Sequence, residues 1–261
     1  FLEVFSNRSA IENFLSKEIL LNLPSSYLEN FIKIEKIVEN IPFPKAPKKI
    51  FTCLGFNRST LMDRYITKNL EKGTSLILAQ HGGNYFQHKF HNESEYEPKI
   101  SDRYLTWGNV KKKNTKAIGI IKKIKKPKTF SNKIILEVRM RKGYTKQLKI
   151  DSGFLDSKKY LDELCKFFSS IKDKKLNDNL YVKLHYWNSF WNEKKQFQSN
   201  NPDLKFLNER KKMIDVMNSA KLIIQTFCST GHLECLAANR PTLILFINDM
   251  KLYNEKSKKY L

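Results

Sequence analysis

Three segments of the chain carry side chains suited to gripping a phosphate. VRMRKGY holds Arg139 and Arg141, VKLHYW holds Lys183 and His185, and CSTGHLE holds Ser229, Thr230 and Gly231. Each follows an apolar run that reads as a buried strand: Ile134 to Val138, Leu180 to His185 and Leu222 to Ile224. In an open parallel sheet the carboxyl ends of such strands share one edge. Guanidinium, ammonium, imidazole, hydroxyl and helix-start N–H groups would then converge on one ligand, and all of them donate to phosphate oxygens. Taken singly, each residue is equally an ordinary surface side chain, with Ser229 or Thr230 as a helix N-cap. Glu234, four residues past Thr230, either reaches a ribose or sugar hydroxyl or is an acid favoured near a helix start.

A second group follows the apolar run Ser75 to Ala79. Gln80-His81-Gly82-Gly83 would place His81 at a strand end, where an imidazole with a reference pKa of about 6.5 can take a proton from an attacking hydroxyl. The glycines allow backbone to approach a ligand closely. The plainer reading is a histidine that fixes its own loop. Ser101-Asp102 could bring a carboxylate near His81. His88 and His91 with Glu93, Glu95 and Glu97 could bind a metal, but His-x-x-His before a polar stretch reads better as a solvated loop, and no metal is expected. The four cysteines form no Cys-x-x-Cys pair, which argues against zinc and against a disulfide framework. Cys228 and Cys235 flank the Ser-Thr-Gly turn, as reactive thiols or as small buried hydrophobes.

The elements that must position these groups alternate. Asn218 to Phe246 reads as strand, tight turn, Ala/Leu-rich helix to about Asn239, and a second strand, with Pro241 stopping the helix. Upstream, Ser9 to Ile41 has helical periodicity broken at Pro24, then prolines 42, 44 and 47 make an extended link. Lys49 to Cys53, Ser75 to Ala79 and Tyr104 to Trp107 read as strands, with a helix over Asp63 to Lys72 and a loop over Gln80 to Gly108. Helices are expected over Ser157 to Ile171 and Glu209 to Ala220. This alternation predicts an α/β protein built of two facing Rossmann-like parallel sheets. The basic, proline-containing stretch Lys111 to Lys133 suggests a boundary, giving regions 1–115 and 116–261.

The 261 residues carry 48 basic and 26 acidic side chains, a net charge of +22. Such a field attracts nucleic acid, anionic membrane or phosphorylated substrates; lysines spread along an Ile- and Asn-rich chain are also what a lysine-rich proteome yields. No Arg/aromatic segment of the RNA-gripping kind stands out, and Trp187 and Trp191 are the nearest hint of a base-stacking platform. No apolar run approaches the roughly 18 residues of a membrane span and no signal peptide opens the chain, so a cytoplasmic protein is expected. The chain begins at Phe1 and stops soon after the strand ending near Ile247, which suits a piece of a longer protein.

The order AQHGGNY, ISDRYLTWG, VRMRKGY, VKLHYW and STGHLECLAANRPTLILF, from about Ile50 to Ile247, resembles transferases of bacterial O-antigen and surface-polysaccharide gene clusters. Gln80-His81-Gly82 and Lys183-Leu184-His185 are also similar to segments of CDP-glycerol glycerophosphotransferases and capsule Kdo transferases. Tyr186 departs from the proline of their K-x-H-P version. The resemblance implies a GT-B architecture with a first domain that is incomplete here. It implies a nucleotide-sugar donor, as substrate rather than cofactor, with Ser229, Thr230, Arg139 and His185 around its phosphates. His81 or Asp102 would assist transfer from the facing domain. The expected activity is metal-independent glycosyl transfer to a glycan or lipid-linked acceptor, with Lys111 to Lys133 resting on anionic lipid. A nucleotide-sugar epimerase and a nucleic-acid-binding protein are the competing readings.

Overall fold

The computed structural model describes residues 9–124, 131–139, 157–185, 190–247 and 253–260. The strands form a four-stranded and a five-stranded sheet. By internal packing the chain divides into two compact units, one running to Ala79 with Ser101–Arg103, the other comprising Gln80–Ile100 and the chain from Tyr104 onward.

The first unit opens with α1 (Ala10–Asn22). Ser9 Oγ accepts from the Glu12 N–H, and the Glu12 carboxylate accepts from the Ser9 N–H, a reciprocal cap that fixes where the helix starts. After the expected break at Pro24 comes α2 (Phe31–Asn40). Glu35 of α2 pairs with Arg64 and with Lys68, 3.4 Å away, on α3 (Thr60–Leu70). Gly73, at φ +87, makes the left-handed turn after α3. β1 (Lys49–Thr52) and β2 (Ser75–Ala79) then pair in parallel, Ile50 opposite Leu76.

The second unit contains α4 (Asn92–Ile100) where a loop was expected. Its buried residues, Ser94, Glu97 and Pro98, present no apolar stripe, and Pro98 reads as a breaker. Proline has no N–H to offer the carbonyl of Ser94, one turn back; Lys112 Nζ donates to that oxygen instead, at 3.2 Å. Replacing Lys112 with methionine should therefore cost about 1 kcal/mol, read as a lower urea midpoint at unchanged slope. β3 (Arg103–Thr106) pairs in parallel with β4 (Thr115–Ala117), a strand not anticipated within the basic stretch Lys111 to Lys133.

The five-stranded sheet comprises β5 (Lys133–Glu137), β6 (Leu180–Lys183), β7 (Lys205–Phe206), β8 (Ala220–Gln225) and β9 (Thr242–Ile244), in the order β7-β6-β5-β8-β9. All of its pairings are parallel. Neighbouring residues of β5 enter different cores, as strand alternation demands. Leu136 packs with Tyr160, Leu164 and Phe168 of α5 (Ser157–Ser170) and Phe197 of α7 (Glu193–Asn200). Ile135 packs with Ile223, Val216 and Met217 of α8 (Met213–Met217) and Cys235 of α9 (Thr230–Ala237). Helices thus cover both faces, the doubly wound arrangement the sequence predicts. The helix expected over 209–220 is the five-residue α8, and α6 (Lys174–Asn179), α7 and β7 were not anticipated. A final turn, α10, spans Glu255–Lys258. No helix among the described residues is long and apolar enough to cross a membrane.

Candidate active site

The strand order marks where this sheet offers a site. From β5 the chain builds outward through β6 and β7, then returns to the other side of β5 as β8 and β9. The reversal falls between β5 and β8, and ligands of open α/β sheets bind at the carboxyl ends of the strands beside such a reversal. Glu137 and Gln225 end these two strands opposite each other, and Gln225 Nε2 donates to Glu137 Oε2 at 2.6 Å.

A cleft of about 710 Å³ opens there. Of the residues expected to form the site it gathers Lys183, His185 and Glu234, and it adds Glu137, Lys122, Lys123, Glu209, Arg210, Lys211 and Lys212. Six cationic side chains thus face three carboxylates across an open basin, a balance that favours an anionic ligand carrying hydroxyl groups.

Burial and charge shape these groups. Lys183 Nζ lies buried near the backbone oxygens of Leu184 and Glu209, at 3.4 and 3.3 Å. Burial lowers its pKa, while Glu137 and Glu209 act to keep it charged. His185 is pushed down to about 4, first by burial and then by Arg139 and Lys183, so it is neutral at pH 7. Burial raises the Glu137 carboxyl, opposed by the Gln225 hydrogen bond and by Lys183 and Arg139. Glu234, buried on α9, accepts from Lys122 Nζ at 2.5 Å.

Arg139, Ser229, Thr230 and Gly231 flank this basin rather than line it among the described residues. The Arg139 guanidinium sits 5.9 Å over the Phe227 ring. Arg141 lies outside the described residues, as does Trp187. Ser229 is the N-cap of α9. Thr230 Oγ1 accepts from the Gly83 N–H at 2.9 Å. A Cβ on Gly82 would lie 2.8 Å from Thr230 Oγ1, and one on Gly231 2.6 Å from Gln225 Nε2, so a larger residue at either position would require those side chains to shift. Loop 80–83 is thereby docked on the α9 turn.

Gln80 holds that loop in shape, its Oε1 accepting from the Trp107 N–H at 3.0 Å and its Nε2 donating to Gly82 O at 2.7 Å. His81 Nδ1 meets the Tyr85 hydroxyl at 2.5 Å. Asp102, in the first unit, accepts from the Leu76 N–H through Oδ2 at 2.7 Å, tying the start of β3 to β2's own segment. His91 Nδ1 contacts Ser94 at the start of α4, and His88 packs edge-on against Tyr253, their ring centroids 4.8 Å apart. No group of three or more His, Cys, Asp or Glu residues among those described is placed to hold a metal. The Cys228 and Cys235 thiols are buried and pushed up to about 12 by burial, the state of small packed hydrophobes rather than nucleophiles.

Glu137 and Gln225 escaped the sequence reading because 88 positions separate them and only strand register pairs them. A signal was present: Glu137 is an acid closing the apolar run Ile134 to Leu136, where a charge is rarely idle.

A doubly wound α/β protein with a basic cleft at the sheet's reversal point defines the general class. The model of the LIC12162 family of transferases matches residues 1–261, and the chain belongs to that family. None of the curated proteins matches it. Among solved structures it is similar to a co-structure of S. aureus MnaA with UDP, at 10% identity and a TM-score of 0.44 over 88% of this chain. The chain spans 64% of that protein's length.

Proposed function

We propose that this transferase takes its group from a nucleotide-activated sugar and passes it to a surface-polysaccharide or O-antigen acceptor, glycan or lipid-linked, without a metal. The observation that carries the reading is the cationic cleft at the β5/β8 reversal, because a nucleoside diphosphate-sugar pairs a phosphate dianion with hydroxyl-rich ends. Lys183, Lys122 and Arg210 meet the phosphates and stabilise the charge that develops on the departing nucleotide. Neutral His185 hydrogen-bonds a phosphate oxygen. Glu234 and Glu137 accept from ribose or sugar hydroxyls. Arg139, Arg141, Ser229, Thr230 and Gly231 supply the surrounding positive potential and the turn that shapes the site. His81, on the loop docked against that turn, takes the acceptor proton, with Gln80, Gly82 and Gly83 holding its loop. Asp102 supports the acceptor side. The donor is bound by region 116–261, and the basic stretch Lys111 to Lys133 rests on anionic lipid at the inner face of the cytoplasmic membrane.

A thermal-shift panel of UDP, CDP, CMP, GDP and dTDP, each with and without a sugar, tests this. One nucleotide is expected to raise the melting temperature at both low and raised salt, and Lys183→Met to abolish the rise. Stabilisation by single-stranded oligonucleotide alone, lost at raised salt, would favour the polyanion reading. A nucleotide-sugar epimerase is the second reading, favoured by Glu137 and Glu234 lining one cleft as a candidate acid and base; it predicts turnover of donor without any acceptor.

A further inference from the structure

Away from the cleft lies a fully buried carboxyl group. Glu97 of α4 is fully buried, and both of its carboxyl oxygens are engaged: Oε2 accepts from the Tyr104 hydroxyl at 2.6 Å and Oε1 from the Tyr85 hydroxyl at 3.2 Å. The same Tyr85 hydroxyl lies 2.5 Å from His81 Nδ1. Imidazole, phenol and carboxyl therefore form one line from His81 into the core. We infer that Tyr85 and Glu97 are positioning residues that set which ring nitrogen of His81 carries its proton, so that His81 serves as a base when Glu97 is ionised.

A phenol has one hydrogen to give. An ionised Glu97 can only accept, so Tyr85 donates to it and must accept from His81, which places the ring proton on Nδ1 and the lone pair on Nε2. A protonated Glu97 reverses the line. It donates to Tyr85, Tyr85 donates to Nδ1, and the ring proton moves to Nε2, where it blocks base action. In the transfer step Nε2 takes the acceptor hydroxyl's proton while the acceptor oxygen bonds the sugar carbon and the bond to the phosphate oxygen breaks, its electron pair leaving with the nucleotide. Burial pushes the Glu97 carboxyl up to about 7, opposed by Tyr104 and Tyr85 and helped by Glu93. The other ionisable groups facing the line are His91, whose ring centroid is 4.7 Å from that of Tyr85, and Lys112, which pairs with Glu95 and lies over the Phe86 ring. The switch therefore falls in the physiological range.

This inference rests on His81 being the base, but its test needs no substrate, so failure of donor binding leaves it standing. Histidine ¹⁵N spectra of the whole chain, with the His81 signals identified by their loss in His81→Gln, report the tautomer directly. The expected result is Nδ1–H at pH 8, passing to Nε2–H as pH falls through about 7, with Glu97→Gln fixing one tautomer across that range. Tyr85→Phe, which keeps the ring, should uncouple His81 from Glu97 and serves if Glu97→Gln does not fold. In an assay, Glu97→Gln should lose tenfold or more in kcat with donor KM unchanged. An Nε2–H tautomer at pH 8 in the unaltered protein, or a Glu97→Gln or Tyr85→Phe titration like that of the parent, would overturn it.

Discussion

Gly83→Ala is expected to lower the melting temperature by roughly 5–10 °C, the shift that an overpacking cost of about 3 kcal/mol produces in a chain of this length. A Cβ at position 83 would lie 2.3 Å from the carbonyl carbon of Ser229 and 2.5 Å from the backbone nitrogen of Thr230. Those are main-chain atoms at the start of α9, and a rotamer change cannot clear them. The loop must lift, which also breaks the hydrogen bond from the Gly83 N–H to Thr230 Oγ1. Gly108→Ala is the control, because nothing lies within 4 Å of its added Cβ. Differential scanning calorimetry of both variants decides it: equal melting temperatures would mean that loop 80–83 does not dock on the α9 turn as described.

The second large effect is on stability against pH. Glu97 titrates near 7 when folded and near its ordinary 4.5 when unfolded. Between those values the folded chain holds the extra proton, so stability falls as pH rises. The contribution is fully present below about pH 4.5 and is lost as pH passes through about 7. The shift corresponds to about 3 kcal/mol between those limits. Urea denaturation at pH 5 and pH 8 should show Glu97→Gln insensitive to this change while the parent loses stability at the higher pH. A parallel fall in both proteins would assign the pH dependence to other groups.

Legibility in the sequence followed local pattern. Strands β5, β8 and β9 were readable because each holds consecutive Ile and Leu residues, those of β5 entering cores on both faces of the sheet, and Pro241 punctuates the end of α9. Helix α4 was hidden because its buried face is polar: Glu97 sits among Glu93 and Glu95 and reads as one more solvated acid. Its burial is decided by Tyr85 and Tyr104, which arrive from outside the helix. β4, with the sequence Thr-Lys-Ala, has no apolar run at all and exists through its pairing with β3. At the candidate site, Lys183, His185 and Glu234 were legible from strand ends and helix position. Glu137 and Gln225 required the register of β5 against β8. The carboxyl that Tyr85 links to His81 required the fold of α4.

Isothermal titration of the stabilising nucleotide into the purified chain and into Lys183→Met tests the central claim most directly. The account predicts one saturable site in the parent and at least a tenfold weaker affinity in the variant, from loss of a buried ammonium at the phosphates. Equal affinity in the two proteins, or no heat of binding from any nucleotide, would contradict a donor site at the β5/β8 cleft.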